Sequence, residues 1–309
     1  MNTINQASPL KILLALDDSH HSAAAVDLLT RITWPIGTSV HIFAIVPDRL
    51  PVMERSPEMQ RHVDEVLEVI RWRDWAVATT MIRKAAARLQ AHHLNVQTEV
   101  DEGPPSQTLL KQAIRLQPDL VVLGAKGYSP ADKFDLSPIA HKVAHEADYS
   151  VLVARPSPQV RPLNTILAVD GSPAAWRAVE FLGALALPQW ARVTAVNVIE
   201  EKVNSPIGVS LTDYHRPADI EPVIPDPTEE VIARLHDHGV QVRKSVRFGH
   251  PADEILTAAQ EQEADLIVIG MRSRSFDVGK VAQKVVKYAP CSVLAVRESE
   301  NKKIASGYL

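Results

Sequence analysis

The chain has one cysteine, Cys291, among its 309 residues. A single thiol excludes an internal disulfide framework, and this composition is typical of the cytosol, where thiols stay reduced. Cys291 stands just before an apolar run that resembles a strand. We therefore expect a buried and inert thiol rather than a nucleophile.

Long apolar runs and an excess of positive charge are also missing. No run approaches the ~20 apolar residues of a membrane-spanning helix, and the first residues lack the basic and apolar regions of a secretory signal. The net charge is -4 and the pI is about 6.3, which argues against a nucleic-acid-binding surface. We expect a cytoplasmic protein with neither nucleic acid nor membrane as a partner.

The chain does contain a long internal repeat. Asp119-Leu-Val-Val-Leu-Gly124 returns as Asp265-Leu-Ile-Val-Ile-Gly270, and Ser150-Val-Leu-Val-Ala-Arg155 returns as Ser292-Val-Leu-Ala-Val-Arg297. A period of roughly 150 residues is far longer than a solenoid unit, so it indicates two copies of a whole domain.

The boundary between the two copies is rich in proline. Three prolines between Pro156 and Pro162 predict a linker at residues 156–162. The predicted domains are residues 9–155 and residues 163–298, followed by a C-terminal tail at residues 299–309. Because 46% of the residues are hydrophobic, each domain can bury a full-sized core.

Five short strand candidates in each half alternate with helical patterns. Most are continuous runs of Val, Ile and Leu, which is typical of a parallel sheet with helices on both faces. This pattern predicts an α/β fold with open, doubly wound sheets. The candidates are residues 11–16, 40–46, 96–100, 120–123 and 150–154, then 165–169, 193–199, 241–246, 266–269 and 292–296.

The two halves differ after their second predicted strand. The first half has a helical pattern from about Pro57 to His92, in which Trp72 and Trp75 are expected to cover the core, with a ligand platform as the less favoured alternative. The second half has a proline-rich loop from Asn204 to Pro227, and loops of this length are typically mobile or functional.

Together these motifs resemble the universal stress protein family in its tandem two-domain form. The resemblance spans about Pro9 to Arg297. It rests on the Asp-Leu-Ile-Val-Ile-Gly strand and on four further motifs: Val169-Asp-Gly-Ser172, Gly103-Pro-Pro105, Gly249-His-Pro251 and Ala289-Pro-Cys-Ser-Val-Leu294.

The resemblance implies two Rossmann-like domains of the adenine nucleotide alpha hydrolase-like type. Each would have a five-stranded parallel sheet flanked by helices. In this family the last strand commonly pairs across a dimer interface, so a tandem chain is expected to form that pair internally, as a pseudo-dimer. A further homodimer and a bound small molecule stay open.

ATP-binding members of the family carry Gly-x-x-Gly, nine residues, then Gly-Ser or Gly-Thr, and the resemblance implies where this chain would hold phosphate. In the first half Gly124-Ala-Lys126-Gly127 keeps the first pair, and nine residues lead to Ser137-Pro138. Pro138 lacks the N–H that a phosphate needs. Ser-Pro is also a good helix start, so Ser137 is either a phosphate contact or a helix cap. Asp17 matches the family's sugar-binding aspartate and Ile45 its adenine contact.

The second half departs from the motif differently. Gly270-Met-Arg272-Ser273 lacks the second glycine, and only five residues precede Gly279-Lys280. Arg272 and Lys280 would supply cations to a phosphate. Asp170 and Val198 match the sugar and adenine contacts.

Neither motif is intact, so three interpretations stay open for the ligand: ATP, a smaller anion such as AMP, or none. No nucleophile–base pair is evident. We interpret the chain as a non-catalytic regulator of stress adaptation with degenerate nucleotide-binding loops. The alternatives are an enzyme acting on nucleotides, by slow ATP hydrolysis or by phosphoryl or adenylyl transfer, and a carrier of a small apolar or anionic ligand.

His141 and His145 are the weak candidates for a metal site. Their i, i+4 spacing puts both imidazoles on one helix face. A third ligand at a defined spacing is missing, so a solvated helix face is the favoured interpretation and no metal is predicted.

Overall fold

A computed structural model describes residues 8–48, 57–127, 136–146, 149–157, 163–185, 187, 191–200, 226–271 and 280–297, of which 57–62 are described by their backbone alone. The predicted tail, most of the predicted linker and most of the proline-rich loop lie outside these residues, as do Arg272 and Gly279.

Strands and helices alternate along both halves. The elements of the first half are β1 Lys11–Leu16, α1 His20–Arg31, β2 Ser39–Val46, α2 Pro57–Gln90, β3 Asn95–Glu102, α3 Pro105–Leu116, β4 Leu120–Gly124, α4 Pro138–Glu146 and β5 Ser150–Ala154. Those of the second half are β6 Asn164–Val169, α5 Pro173–Ala184, β7 Arg192–Ile199, α6 Thr228–Asp237, β8 Val242–Phe248, α7 Pro251–Glu261, β9 Leu266–Gly270, α8 Lys280–Tyr288 and β10 Ser292–Val296. The predicted α/β fold is confirmed, and every predicted strand is present.

The strands form one sheet of ten, in the order β3-β2-β1-β4-β5-β10-β9-β6-β7-β8. Neighbours within each half are parallel, and the two halves join where β5 pairs antiparallel with β10, with Leu152 opposite Leu294. The expected pairing of the last strands within one chain is therefore present. The strand order reverses between β1 and β4 and between β6 and β9, and parallel sheets bind ligands at such switch points.

Helices cover both faces of the sheet. One buried cluster lies under α1, α2, α5 and α6, and the other lies under α3, α4, α7 and α8. All residues of β5 and β10 are buried, which explains why these strands read as continuous apolar runs.

Serine caps start the first helix of each half. The Ser19 hydroxyl accepts a hydrogen bond from the Ser22 N–H at 3.1 Å, and the Ser172 hydroxyl accepts one from the Ala175 N–H at 3.2 Å. Both caps satisfy N–H groups that the helix itself leaves without partners.

Two arginines tie the halves together at the end of the last strands. Arg155 donates to the carbonyl oxygens of Val286 and Lys287 in α8, at 2.7 and 3.3 Å. Arg297 donates to those of Ala144 and His145 in α4, at 2.6 and 3.3 Å. Each half therefore caps the end of a helix in the other half.

The prediction that both tryptophans of α2 cover the core is right for Trp75 and wrong for Trp72. Trp75 packs against the core beside α1, whereas Trp72 is 74% exposed. From Val63 onward, where the side chains of α2 are described, the first buried one is Ala78. Trp72 therefore precedes the part of the helix that packs on the sheet.

Candidate functional site

The turn after β1 and the loop after β4 meet at the first switch point. The Ser19 hydroxyl lies 3.2 Å from the Lys126 carbonyl oxygen. A Cβ added to Gly127 would lie 2.8 Å from the Oδ2 atom of Asp17. The structure thus brings together Asp17, Lys126 and Gly127, three of the residues that the resemblance assigns to one pocket.

The Asp17 carboxylate is already bonded within the chain. Its Oδ1 atom accepts from the Ser19 N–H at 3.2 Å and from the hydroxyls of Ser19 and Ser22, each at 2.5 Å. Ser22 is 4% exposed, and its hydroxyl also accepts from the Asp17 N–H at 3.0 Å. One oxygen of Asp17 is thus surrounded by three donors, and the loop backbone at Gly127 lies against the other.

Gly124 lets α1 approach β4 closely. A Cβ at this position would lie 2.8 Å from the His21 Cβ and 3.0 Å from the Ser22 backbone nitrogen. The helix packing explains this glycine without any phosphate contact.

Ser137 caps α4. Its hydroxyl accepts from the Ala140 N–H at 3.1 Å, and its own N–H donates to the Ala125 carbonyl oxygen at 2.8 Å. Of the two functions that the sequence left open for Ser137, the structure shows the helix cap.

The apolar residues assigned to the adenine stand at matching places in the two halves. Ile45 lies near the end of β2 and Val198 near the end of β7, and both are partly buried against the cluster that includes α3 and α7. Their outer surfaces border the carboxyl edge of the sheet, where the switch points lie.

The second switch point has fewer internal bonds. Asp170 Oδ1 accepts from the Ser172 N–H at 2.9 Å, but Ala175 stands where the first half has Ser22. Gly270 approaches α5 very closely, since a Cβ there would lie 2.1 Å from the Ala174 carbonyl oxygen. Lys280 starts α8 and lines a cleft against α4, and Asp170 is not among the described residues of that lining.

His21 was not predicted as part of the site. Its Nδ1 atom is buried and has no hydrogen-bond partner among the described residues. Burial lowers the pKa of His21, and the nearby charges of Arg155 and Lys126 lower it further, against the opposing effects of the Ala154 carbonyl and Asp17. The repeat offered one signal, because the second half has Ala174 at this position.

A cleft of about 550 Å³ opens between α1 and α2, next to Asp17. We call it the α1–α2 cleft. Its lining includes Asp17, Ser19, Val26, Trp72, Met81 and Lys84. Lys84 has no hydrogen-bond or ion-pair partner among the described residues, whereas the neighbouring Arg88 is paired with Asp27. Trp72 is therefore part of a cleft wall rather than of the core.

The two metal candidates stack on each other on an exposed face of α4. The ring centroids of His141 and His145 are 6.2 Å apart. In the described ranges, no three His, Cys, Asp or Glu side chains are grouped so that they could hold a metal ion.

A sequence model of the universal stress protein family matches residues 10–155 and again residues 163–297. The chain belongs to the universal stress protein family. A stretch of 61 residues is 44% identical to a universal stress protein of Methanothermobacter thermautotrophicus, covering 19% of this chain and 42% of that one. The universal stress protein YxiE of Bacillus subtilis is 29% identical over 143 residues, which are 43% of this chain and 97% of YxiE.

Among solved structures, the fold is similar to a universal stress protein from Archaeoglobus fulgidus. The TM-score is 0.63 at 17% identity, and the match covers 93% of this chain and 98% of the other. At this identity the likeness shows the fold alone. Within the part of the chain that the structure describes, no helix is both long and apolar enough to span a bilayer.

Proposed function

We propose that this tandem universal stress protein is a non-catalytic regulator in stress adaptation whose first half has lost the family's mode of ATP binding. In this proposal residues 9–155 and 163–298 are two domains that act as an intramolecular pair. The proposal rests on the hydrogen bonds that the Asp17 carboxylate makes within the chain.

In the family's mode, this aspartate accepts a hydrogen bond from the sugar of the nucleotide. Here Asp17 Oδ1 receives three intrachain donors, and Oδ2 lies against the backbone at Gly127. A bound sugar would have to displace two hydroxyl groups, one of them on the buried Ser22. Breaking bonds to a carboxylate without replacing all of them opposes binding.

The phosphate end supports the same conclusion. The Ser137 hydroxyl is used to cap α4, and Pro138 offers no N–H to an anion. A helix N-terminus binds phosphate through free N–H groups, and this one presents fewer of them.

The second half keeps more of a nucleotide pocket. The Asp170 carboxylate accepts a hydrogen bond from the Ser172 N–H. The predicted cations Arg272 and Lys280 also belong to this half. We assign residual binding of a small nucleotide such as AMP to Asp170, Val198 and this loop, with Gly270 and Gly279 giving the backbone its close approach.

Isothermal titration of the full chain with ATP, ADP and AMP tests this proposal. Asp17→Ala and Asp170→Ala form a matched pair because they change equivalent positions. We expect no saturable ATP binding. Any heat of AMP binding should disappear in Asp170→Ala and persist in Asp17→Ala. Saturable ATP binding that is lost in Asp17→Ala would overturn the proposal.

The rival enzyme function makes a different prediction for the same variants. Nucleotide hydrolysis or transfer in the crevice would need Asp17 or Asp170, the acids at the two switch points. We expect no phosphate release above that of buffer from the wild type. Multiple turnover that disappears in either variant would establish the enzyme instead.

A second candidate function is a carrier of a small ligand with an apolar body and an anionic group. The α1–α2 cleft favours it, because Trp72 offers a 74% exposed ring and Lys84 a cation with no partner among the described residues. A cleft of 550 Å³ is within the range of small-molecule sites.

Anilinonaphthalene sulfonate has the required chemistry and serves as the probe. If the cleft binds such ligands, Lys84→Glu should weaken probe binding by about tenfold, as expected for a lost charge-assisted contact. Lys111→Glu, on the exposed surface of α3, is the matched control and should have no effect. Equal binding to all three proteins would exclude the cleft, and native mass spectrometry of the purified chain would reveal a ligand that co-purifies.

A further inference from the structure

The two halves differ at one position of the helix pair that forms the α1–α2 cleft. Ala23 of α1 lines the cleft, and Trp176 of α5 occupies the equivalent position of the second half. Each stands six residues after the aspartate of its own switch point, Asp17 or Asp170. The first half thus has a methyl group where the second half has an indole ring.

The Trp176 ring is enclosed between the core and a cation. Trp176 is partly buried and packs against the hydrophobic cluster under α5 and α6. The Cζ atom of Arg234 in α6 lies 5.8 Å from the centroid of the ring, and Glu180 of α5 holds this guanidinium at 3.0 Å. A cation within about 6 Å of an aromatic ring centroid is attracted by the ring. The second half therefore shows how this helix pair accommodates one flat aromatic ring.

The first half has an equivalent arginine at its cleft. Arg88 and Arg234 each stand directly before the last fully buried leucine of their helix. Arg88 lines the cleft and is paired with Asp27, just as Arg234 is paired with Glu180. The guanidinium and its acid partner are thus present in both halves, whereas the first half has Ala23 in place of the ring.

The space beside Ala23 suits an aromatic ring. The cleft has a volume of about 550 Å³, and its lining includes the buried Val26 and Ala85 together with Met81 and Arg88. A thioether makes favourable contacts with the edge of an aromatic ring. The cleft therefore offers a flat ring an apolar floor, a sulfur contact and a guanidinium.

One charge differs between the halves and indicates a second group on the ligand. Lys84 lines the cleft of the first half, and Glu230 stands at the equivalent position of α6. Each lies four residues before its arginine, so both charges are on the same helix face as that arginine. An ammonium group attracts an anion there, whereas a carboxylate repels one. The first half thus suits a ring with a negatively charged substituent.

The acids of the cleft lining lie away from this position. Asp17 and Asp18 precede α1, whereas Arg88 is paired with Asp27, which is about two helical turns further along α1. The Asp17 carboxylate is also bonded to the hydroxyls of Ser19 and Ser22. Its charge is therefore stabilised within its own turn, at the other end of the cleft from the guanidinium.

We propose that the α1–α2 cleft binds a small aromatic acid, with its ring in the place that Trp176 fills in the second half. This inference rests on the carrier function proposed above and narrows its ligand from apolar anions in general to flat aromatic ones. It also assigns the site to the first half alone, because Trp176 and Glu230 oppose such a ligand in the second.

Isothermal titration of the full chain with indole-3-propionate tests the proposal, since this probe joins the ring of Trp176 to a carboxylate. Ala23→Trp fills the place of the ring and should weaken binding by more than about tenfold. Ala23 is exposed at the cleft surface, so the larger side chain leaves the core intact. Ala87→Trp is the matched control, because Ala87 is exposed on α2 outside the described lining. It should leave the affinity unchanged.

Octanoate distinguishes an aromatic ligand from an aliphatic one. It carries the same charge as indole-3-propionate but has no ring to place beneath Arg88. We expect it to bind about fivefold more weakly, and Arg88→Met should remove this preference. Arg83→Met should preserve the preference, since Arg83 is exposed on α2 and is not in the described lining.

Equal affinity for the two acids, with binding lost in Lys84→Glu, would overturn the aromatic site and leave the carrier function standing. Unchanged binding in Ala23→Trp, or binding lost in Trp176→Ala, would place the probe elsewhere and overturn the proposal. Absence of saturable probe binding to the wild type would do the same. Saturable ATP binding would contradict the proposed loss of ATP binding and leave the aromatic site standing. Circular dichroism checks that each variant is folded, and the octanoate comparison tests the wild type without any substitution.

Discussion

Arg155 and Arg297 occupy equivalent positions in the two repeats, and each donates to carbonyl oxygens in the last turn of a helix in the opposite half. Both contacts satisfy carbonyl oxygens that the end of a helix leaves without an intrahelical partner. The relationship makes each half dependent on the other for the end of one helix.

Replacing Arg155 with Met should lower the free energy of unfolding by about 2–4 kcal/mol, because carbonyl oxygens of α8 lose their donors. Burial lowers the pKa of Arg155 to about 10, so the charged form is itself destabilised by desolvation and the loss stays below the sum of its bonds. Urea denaturation measures the change. Arg297→Met should behave alike, whereas the exposed Arg192→Met should have no effect. Unchanged urea midpoints in both Arg155→Met and Arg297→Met would show that the carbonyl oxygens at these helix ends find other donors.

The two switch-point glycines should differ in their tolerance of a methyl group. In Gly270→Ala the new Cβ would meet the Ala174 carbonyl oxygen at 2.1 Å, so α5 must move away from β9. In Gly124→Ala it would meet the His21 Cβ at 2.8 Å, a milder clash. We expect the free energy of unfolding to fall by more than about 2 kcal/mol in Gly270→Ala and by about 1–2 kcal/mol in Gly124→Ala. Thermal unfolding of both variants measures this difference, and the reverse order would contradict it.

The two tryptophans of α2 should contribute very differently to stability. Trp72→Ala should change the free energy of unfolding by less than about 0.5 kcal/mol, since its ring is 74% exposed. Trp75→Ala removes a ring that packs against the core and should cost about 2 kcal/mol. Urea titrations of the two variants are each other's control. A large loss in Trp72→Ala would mean that this ring is covered in solution.

Asp226 should make stability depend on pH in the acid range. Burial raises the pKa of Asp226, but hydrogen bonds from Lys244 and Thr228 outweigh burial and lower it to about 2. The folded-state pKa thus lies below the ordinary value of 3.8, so the stabilisation is present above that value and is lost as the pH falls towards 2. Urea midpoints at several pH values test this, with Asp226→Asn as the control. The difference in urea midpoint between the wild type and Asp226→Asn should shrink from pH 5 to pH 3. A constant difference would contradict the lowered pKa of Asp226.

Cys291 should be inert in the folded protein. Burial raises the pKa of its thiol to about 12, and the side chain is 6% exposed, so the reactive thiolate is scarce at pH 8. Labelling with iodoacetamide should be slow in buffer and fast in concentrated urea. Rapid labelling of the native protein would show that the end of α8 opens.

Local sequence patterns were sufficient to predict the fold. The buried parallel strands read as uninterrupted Val, Ile and Leu runs because both of their faces are covered. The caps at Ser19 and Ser172 are local, since each joins residues three positions apart. The prediction for Trp72 was wrong because helical periodicity does not tell where along α2 the sheet ends.

The candidate site was less accessible to sequence reasoning. Ser137 followed by Pro138 suits a helix cap and occupies the place of a phosphate contact, so only the bond from Ala140 could distinguish the two functions. The bonds of Asp17 to Ser19 and Ser22 are local, and the spacing of those hydroxyls was a signal that could have revealed them.

The long-range arginine contacts were not predicted. Arg155 and Val286 are 131 positions apart, and no periodicity relates residues at such a separation. The one signal was the arginine that ends both copies of the last strand, at positions 155 and 297.

Joining β5 and β10 within one chain has a consequence for how the two halves can evolve. Two identical subunits related by a two-fold axis must present the same residue on both sides of their interface. Here His145 faces a wall that carries Lys287 at the equivalent position, a pairing of unlike residues that no symmetric dimer of one gene product could display. The fusion also keeps the partners together at any dilution, so each copy is free to diverge without losing the other.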